Sequence, residues 1–167
     1  MRAYHEVSPD QLQSVMANGL KKESRGAKGN DRWIIKADAY LDEHRPKSVV
    51  EAGVSRDDTI YAYYVSDTSV ITITDGAAIS VHDFIESKKG SLLELQLDPR
   101  RCFVSDLDTY DALKDALRQH KNSEELETLA KSYWSKLVRL DSFEPNMIRR
   151  PEIMITYNLA PHEIERC

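Results

Sequence analysis

The pattern of apolar and polar positions changes period several times along the chain, and each change marks an element. Residues 2–7, "RAYHEV", read as a short strand. Ser8 then stands where an N-cap belongs, Pro9 takes the first helical position, and Gln11 falls three residues after the serine, as a capping box wants. Leu12, Val15, Met16 and Leu20 recur at helical spacing, and Gly19 suits a left-handed C-terminal cap. "DRWIIKADAYLDEH" (31–44) predicts a second helix with Trp33, Ile34, Ala37 and Leu41 inward, ended at Arg45-Pro46. "KSVVEAG" gives one or two further helical turns closed by Gly53.

Strand signals follow. "DTIYAYYVS" is aromatic and alternating, and "TSVITITDG" is rich in β-branched residues and stopped by Asp75-Gly76. After a helical turn around "VHDFIESKKG", the run "SLLELQLDP" puts Leu93, Leu95 and Leu97 on one face, with Glu94 and Gln96 on the other. Two helices are expected near "DTYDALKDALRQH" and "SEELETLAKSYWSKLVRL". Pro151 precedes a strand, "EIMITYNL", and "APHEIERC" reads as a closing turn. With no repeat, low-complexity segment or linker, residues 1–167 read as a single α+β domain. Helices from the first half and the middle cover a mostly antiparallel sheet.

Composition narrows the class. The 167 residues can bury a core of their own, and 41% hydrophobic with 31% charged residues is a globular balance. No apolar run reaches bilayer length, and no basic region followed by an apolar stretch opens the chain. A cytoplasmic protein with no membrane partner is expected. Cys102, in the apolar context "RCFV", reads as a small buried residue, and Cys167 as a frayed last residue. Neither stands at ligand spacing from a histidine. The net charge of −5 argues against a protein whose main task is gripping nucleic-acid backbone. One stretch departs from it: "LKKESRGAKGNDR" carries Lys21, Lys22, Arg25, Lys28 and Arg32 against Glu23 and Asp31. It reads either as a solvated loop or as a basic lip that meets a phosphorylated ligand.

Several common sites are absent from the sequence: a phosphate loop ending in Lys-Ser/Thr, G-x-G-x-x-G after a strand, H-E-x-x-H, and a serine in a nucleophile elbow. The histidines at 5, 44, 82, 120 and 162 are too scattered for a metal site to be read from spacing. A site here has to be assembled from distant strand ends. The first strand offers Tyr4-His5, the middle one Tyr61, Tyr63 and Tyr64, and the last one Glu152 at its head. Taken singly, the carboxylate is also a plain edge residue, the histidine a hydrogen-bonded core or surface group, and the tyrosines packing.

In order, these blocks resemble the ADP-ribosyltransferase-like superfamily, in its His-Tyr-Glu branch of diphtheria-type toxins, poly(ADP-ribose) polymerases and DNA-modifying relatives. "YHEVSPDQLQSVMANGL" is similar to the branch's first strand and helix, down to Gly19-Leu20. "TIYAYYVSD" is similar to its tyrosine strand, and "PEIMITYNLAPHEI" to its glutamate strand. The resemblance implies an ADP-ribosyltransferase-like fold, a mostly antiparallel split sheet flanked by helices, with NAD as substrate. It implies transfer of ADP-ribose to a protein or nucleic-acid acceptor, with Glu152 as catalytic acid, His5 holding ribose hydroxyls and Tyr61 lining the nicotinamide; the shortness of the chain makes single transfer the expectation. Tyr4, Glu6, Tyr63 and Arg25 complete the implied NAD-binding set.

The chemistry fits these residue types. Cleaving the nicotinamide–ribose bond develops oxocarbenium character, which a carboxylate near the ribose 2′-hydroxyl stabilises. An aromatic face suits the flat nicotinamide. Departures from the resemblance are Glu6-Val7, where glycine and threonine are common, and the extended "VSDTSVITITDG", where the polymerases continue in a helix. Glu163-Ile164-Glu165 is similar to the E-x-E of the Arg-Ser-Glu branch but lies beyond the last strand. Two alternatives stay open. One is an RNA 2′-phosphotransferase-like enzyme using Arg2, Arg25 and Arg56; the other is a degenerate nucleotide- or partner-binding domain of the same fold.

Overall fold

A computed structural model describes residues 1–22, 31–66, 68–73, 76–88 and 90–167. Its main sheet has seven strands: β1 (Arg2–Glu6), β2 (Ile60–Tyr63), β5 (Leu92–Gln96), β6 (Cys102–Asp106), β7 (Val138–Arg139), β8 (Pro151–Ile155) and β9 (Ile164–Arg166). Their spatial order is β7-β6-β8-β2-β1-β5-β9, and every pairing is antiparallel. A separate hairpin joins β3 (Val70–Thr72) to β4 (Ala78–Ser80). The helices are α1 (Pro9–Asn18), α2 (Arg32–Glu43), α3 (Lys47–Glu51), α4 (Val81–Ser87), α5 (Leu107–Arg118) and α6 (Ser123–Ser135). The architecture is thus α+β with an antiparallel sheet flanked by helices. No helix among the described residues is long and apolar enough to cross a membrane.

The sheet is not evenly knitted. Five register pairs join β1 to β5 and five join β6 to β8, but β1 and β2 meet at Tyr4↔Tyr63 alone. The two half-sheets, β7-β6-β8-β2 and β1-β5-β9, therefore part along a seam. One face is a continuous apolar layer in which Ala3, Val7, Ala62, Leu93, Leu95, Val104 and Ile153 pack under Leu12 and Val15 of α1. The opposite face carries two separate clusters. Tyr61, Phe103 and Met154 pack under α2, α5 and α6, whereas Tyr4, Tyr63 and Leu92 pack under the hairpin and α4 through Ile71, Ile79 and Phe84. The second cluster bridges the split, joining Tyr4 of β1 to Tyr63 of β2, and the two clusters divide along β2 between Tyr61 and Tyr63.

Local expectations are met at α1, α2, β1, β2, β5 and β8, with instructive differences. The Ser8 hydroxyl donates to the Gln11 side chain at 2.9 Å rather than capping the helix, because the Gln11 amide already donates to the Ser8 carbonyl. Gly19 has φ 82° and ψ 171°, not a left-handed helical cap, since the chain turns at once into the Leu20↔Leu159 bridge. On α2 the buried residues are Ala37, Asp38 and Leu41, while Trp33 and Ile34 are only half-buried. The expected long last helix stops at Ser135, and its "VRL" end enters β7 and a 3-10 turn. "APHEIERC" is more than a turn: it ends as β9, hydrogen-bonded along β5. Cys102 is buried as expected. Cys167 is not frayed, for its amide donates to the Leu92 carbonyl at 3.2 Å.

Candidate active site at the split in the sheet

Glu152 opens β8 and stands directly opposite Tyr63 of β2 on one side and Ser105 of β6 on the other. Directly opposed residues share a face, so Tyr4, Tyr63, Glu152 and Ser105 form a row across four strands, and the row crosses the seam. Glu152 is mostly buried, its side chain 17% exposed. The Ser105 hydroxyl stands 3.5 Å away, too far to count for much.

What fixes Glu152 is Arg56. The loop 53–58 hangs on Asp42 of α2, whose carboxylate accepts hydrogen bonds from the Ser55 hydroxyl and from the amides of Arg56 and Asp57 at 2.6–3.0 Å. That loop delivers the Arg56 side chain under α5 and α6, against Glu152. Its Nη1 donates to Glu152 Oε2 at 2.8 Å and to the Tyr133 hydroxyl at 2.9 Å, and its Nε donates to Asp38 Oδ1 at 2.9 Å. The rings of Tyr61 and Tyr110 cover the guanidinium, with centroids 4.2 and 4.1 Å from its central carbon. The Tyr110 hydroxyl donates to Asp38 at 3.0 Å, and the Tyr61 hydroxyl to the Arg56 carbonyl.

Burial alone would lower the Arg56 pKa. Its neighbours Tyr133, Tyr61, Glu152 and Asp38 outweigh that and hold it well above the ordinary arginine value. The phenols move in the protective direction. Burial pushes Tyr61 and Tyr110 up, and Tyr133 up to about 12, so all three stay neutral donors at physiological pH. Asp38 and Glu152 against Arg56 leave one negative charge in excess, in a site shielded from water. Such a site favours a positive charge that develops beside it.

The other named residues divide between the two faces. Glu6 lies on the Glu152 face, its carboxylate 3.0 Å from Lys88 Nζ, and Tyr63 is pushed up to about 12 by burial, then by Glu6 and Glu152. Tyr4 is buried, and its hydroxyl donates to Glu94 at 3.0 Å. His5 points to the opposite face. Its Nδ1 donates to the Tyr61 carbonyl at 2.6 Å, across the stretch where β1 and β2 do not pair, and Nε2 is buried without a protein partner. Tyr61 is on the Glu152 face, with one ring face against Arg56. Arg25 and Lys28 of the basic stretch lie outside the described residues; Lys22 pairs with Asp58 at 2.5 Å. Among the described residues, no group of three or more His, Cys, Asp or Glu side chains is placed to share a metal ion.

His5 carries a pH consequence. Burial holds its pKa below the ordinary histidine value, against the opposing pull of the Tyr61 carbonyl and Glu6. The unfolded chain therefore binds a proton before the folded one does, and the His5 contribution is whole above about pH 6.5. It is lost as pH falls from there toward the lower folded value, with a slope of up to about 1.4 kcal/mol per pH unit. Urea unfolding between pH 7.5 and pH 5 measures it: His5→Gln is expected to flatten the acid limb. Equal slopes in the two proteins would remove His5 from the account.

Asp38, Tyr110 and Tyr133, with Arg56 in its role against Glu152, are the members of this site that strand patterns do not reveal. One signal was available: Asp38 falls on the inward stripe of α2 beside Ala37 and Leu41, where an unpaired carboxylate is not tolerated. No protein-family model, curated protein or solved structure matches the chain.

Proposed function

We propose that the protein is an NAD-dependent mono-ADP-ribosyltransferase that cleaves the nicotinamide–ribose bond and passes ADP-ribose to a protein or nucleic-acid acceptor. The observation that carries this reading is the convergence of three distant segments. The strands bearing His5, Tyr61 and Glu152 are immediate neighbours, β1-β2-β8, at the seam where the sheet parts. Around Glu152 the excess of negative charge is complementary to an oxocarbenium-like ribose, the charge that such a reaction must develop. Gly19-Leu20 and "NLAP" bear on one another too, since Leu20 and Leu159 exchange backbone hydrogen bonds at 2.9 Å and so tie the two ends of the chain together.

In this scheme Arg56 fixes the Glu152 carboxylate and Glu152 faces the ribose, while His5, on the opposite face of the sheet, does not touch it and instead ties β1 to the Tyr61 carbonyl. Tyr61 gives one ring face to Arg56, so the nicotinamide has only its other face or Tyr63 to lie against. The test is nicotinamide release from NAD by the purified chain, wild type beside Glu152→Gln. The variant is expected to lose at least about a hundredfold, the scale of removing one group that stabilises transition-state charge. Wild-type release from Glu152→Gln would sink the assignment.

The covered face of Tyr61 and the ion-paired Glu152 favour one second reading, a domain that binds the nucleotide without turning it over. NAD that binds stoichiometrically and stays intact is its signature. The 2′-phosphotransferase reading draws less support. Arg2 is exposed at the start of β1, and Arg56 is already committed to two carboxylates.

A further inference from the structure

Glu6 closes β1 on the same face as Tyr4, and hence on the face of Tyr63 and Glu152. The two carboxylates stand on opposite banks of the split, Glu6 on the β1 half-sheet and Glu152 on the β8 half, and Tyr63 stands on the same face of β2, the strand between β1 and β8. Burial pushes the Tyr63 phenol up to about 12, and the negative charges of Glu6 and Glu152 act in the same direction. Their surroundings differ. Glu152 is mostly buried and bound to a buried guanidinium. Glu6 has its side chain 32% exposed and pairs with the Lys88 amine at 3.0 Å, itself 35% exposed. A carboxylate offers about four acceptor positions, so Glu6 keeps room for another proton donor and an open route to water.

Resting on the transferase reading, we infer that Glu6 is the general base of the transfer step. The bond between ribose C1′ and the nicotinamide nitrogen breaks, its electron pair leaving on nicotinamide. A lone pair of the acceptor oxygen, or of water, forms the new bond to C1′. The proton of that oxygen passes to the Glu6 carboxylate and from there to solvent. Two carboxylates on opposite sides of a sugar, one facing the developing charge and one activating the nucleophile, is the arrangement that glycosyl transfer to a protic acceptor requires.

The test follows nicotinamide release from NAD by wild type, Glu6→Gln and Glu152→Gln, each with and without sodium azide. Azide is an anionic nucleophile with no proton to give up, so it makes a base unnecessary. Glu6→Gln is expected to lose about a hundredfold in water, the scale of general-base catalysis. Azide restores it with an ADP-ribosyl azide as product, and leaves Glu152→Gln slow. A Glu6→Gln protein that works at the wild-type rate overturns the inference, as does one that stays slow with azide present; both leave the transferase reading intact. Unimpaired release from Glu152→Gln strikes at that reading instead. Wild type that releases nothing in water or azide removes both.

Discussion

Replacing Arg56 with Met is expected to destabilise the fold by about 3–5 kcal/mol, the range for removing one partner of a buried ion pair. The loss does not come chiefly from packing. Met fills much of the slot between Tyr61 and Tyr110, and a thioether is at home against aromatic rings. It comes from the carboxylates left behind. Glu152, with its side chain 17% exposed, can draw in water more readily than Asp38, whose side chain is 9% exposed and packed against Tyr110 of α5. A second substitution, Asp38→Asn, is therefore expected to return the larger part of the loss, because it removes the charge that lost its partner. Arg56→Lys is no conservative escape: one ammonium cannot reproduce separate Nε and Nη1 contacts to two carboxylates. Urea unfolding reads all of this as shifts in midpoint at constant slope. A loss below about 1 kcal/mol for Arg56→Met would mean that the ion pair is not what fastens the loop to the sheet.

The elements legible in the sequence are those whose signals are local. Ser8-Pro9 and the spacing of Leu12 and Val15 define α1 without help from the rest of the chain. The pattern of β5 is equally plain, although Leu92 is buried on the face that looked polar, because the hairpin and α4 cover it. β6 is different. Cys102 and Val104 serve the layer under α1, Phe103 and Ser105 serve the other face, and Asp106 caps α5 with no intervening turn. A strand buried on both faces and fused to a helix has neither alternation nor punctuation to read. β9 has two exposed residues in three and exists because β5 offers it an edge. Its origin is tertiary.

The same division runs through the site. Glu152 and the tyrosines lay on readable strands, so their candidacy could be stated from sequence. That Glu152 and Tyr63 oppose one another follows from register, and that His5 turns away follows from parity, and both depend on strand pairings that no local pattern announces. Arg56 sits in an irregular loop whose course is set by Asp42 accepting three hydrogen bonds. Nothing in "VSRDD" says that its arginine turns inward. Only the stranded carboxylate of Asp38 on an apolar helical stripe asked for a partner.

Gly19→Ala is expected to cost about 4 kcal/mol, and for a backbone reason. At φ 82° and ψ 171° the chain occupies a region open essentially to glycine alone, and a side chain there is strained before any neighbour is counted. The neighbour is close. A Cβ on residue 19 would stand 2.2 Å from the Leu159 carbonyl oxygen, and backbone cannot swing aside as a side-chain tip can. That oxygen accepts the Leu20 amide, while the Leu159 amide donates to the Leu20 carbonyl, both at 2.9 Å. Relieving the clash breaks the bridge, leaves these polar groups unpaired and pries Leu20, fully buried, out of the layer under α1. The predicted size contrasts with that at Gly53. There φ is 70°, but a Cβ would meet nothing within 4 Å, so Gly53→Ala carries only the conformational penalty, about 1–2 kcal/mol. Urea midpoints of the two variants separate the effects. If they lose equally, the close approach at Leu159 contributes nothing and the requirement for glycine at 19 is purely one of dihedral angle. If Gly19→Ala loses more by about two kcal/mol or beyond, the docking of the Gly-Leu turn on the segment after β8 is a fixed joint. That joint sets how α1, and with it the His5 end of β1, meets the strand that carries Glu152.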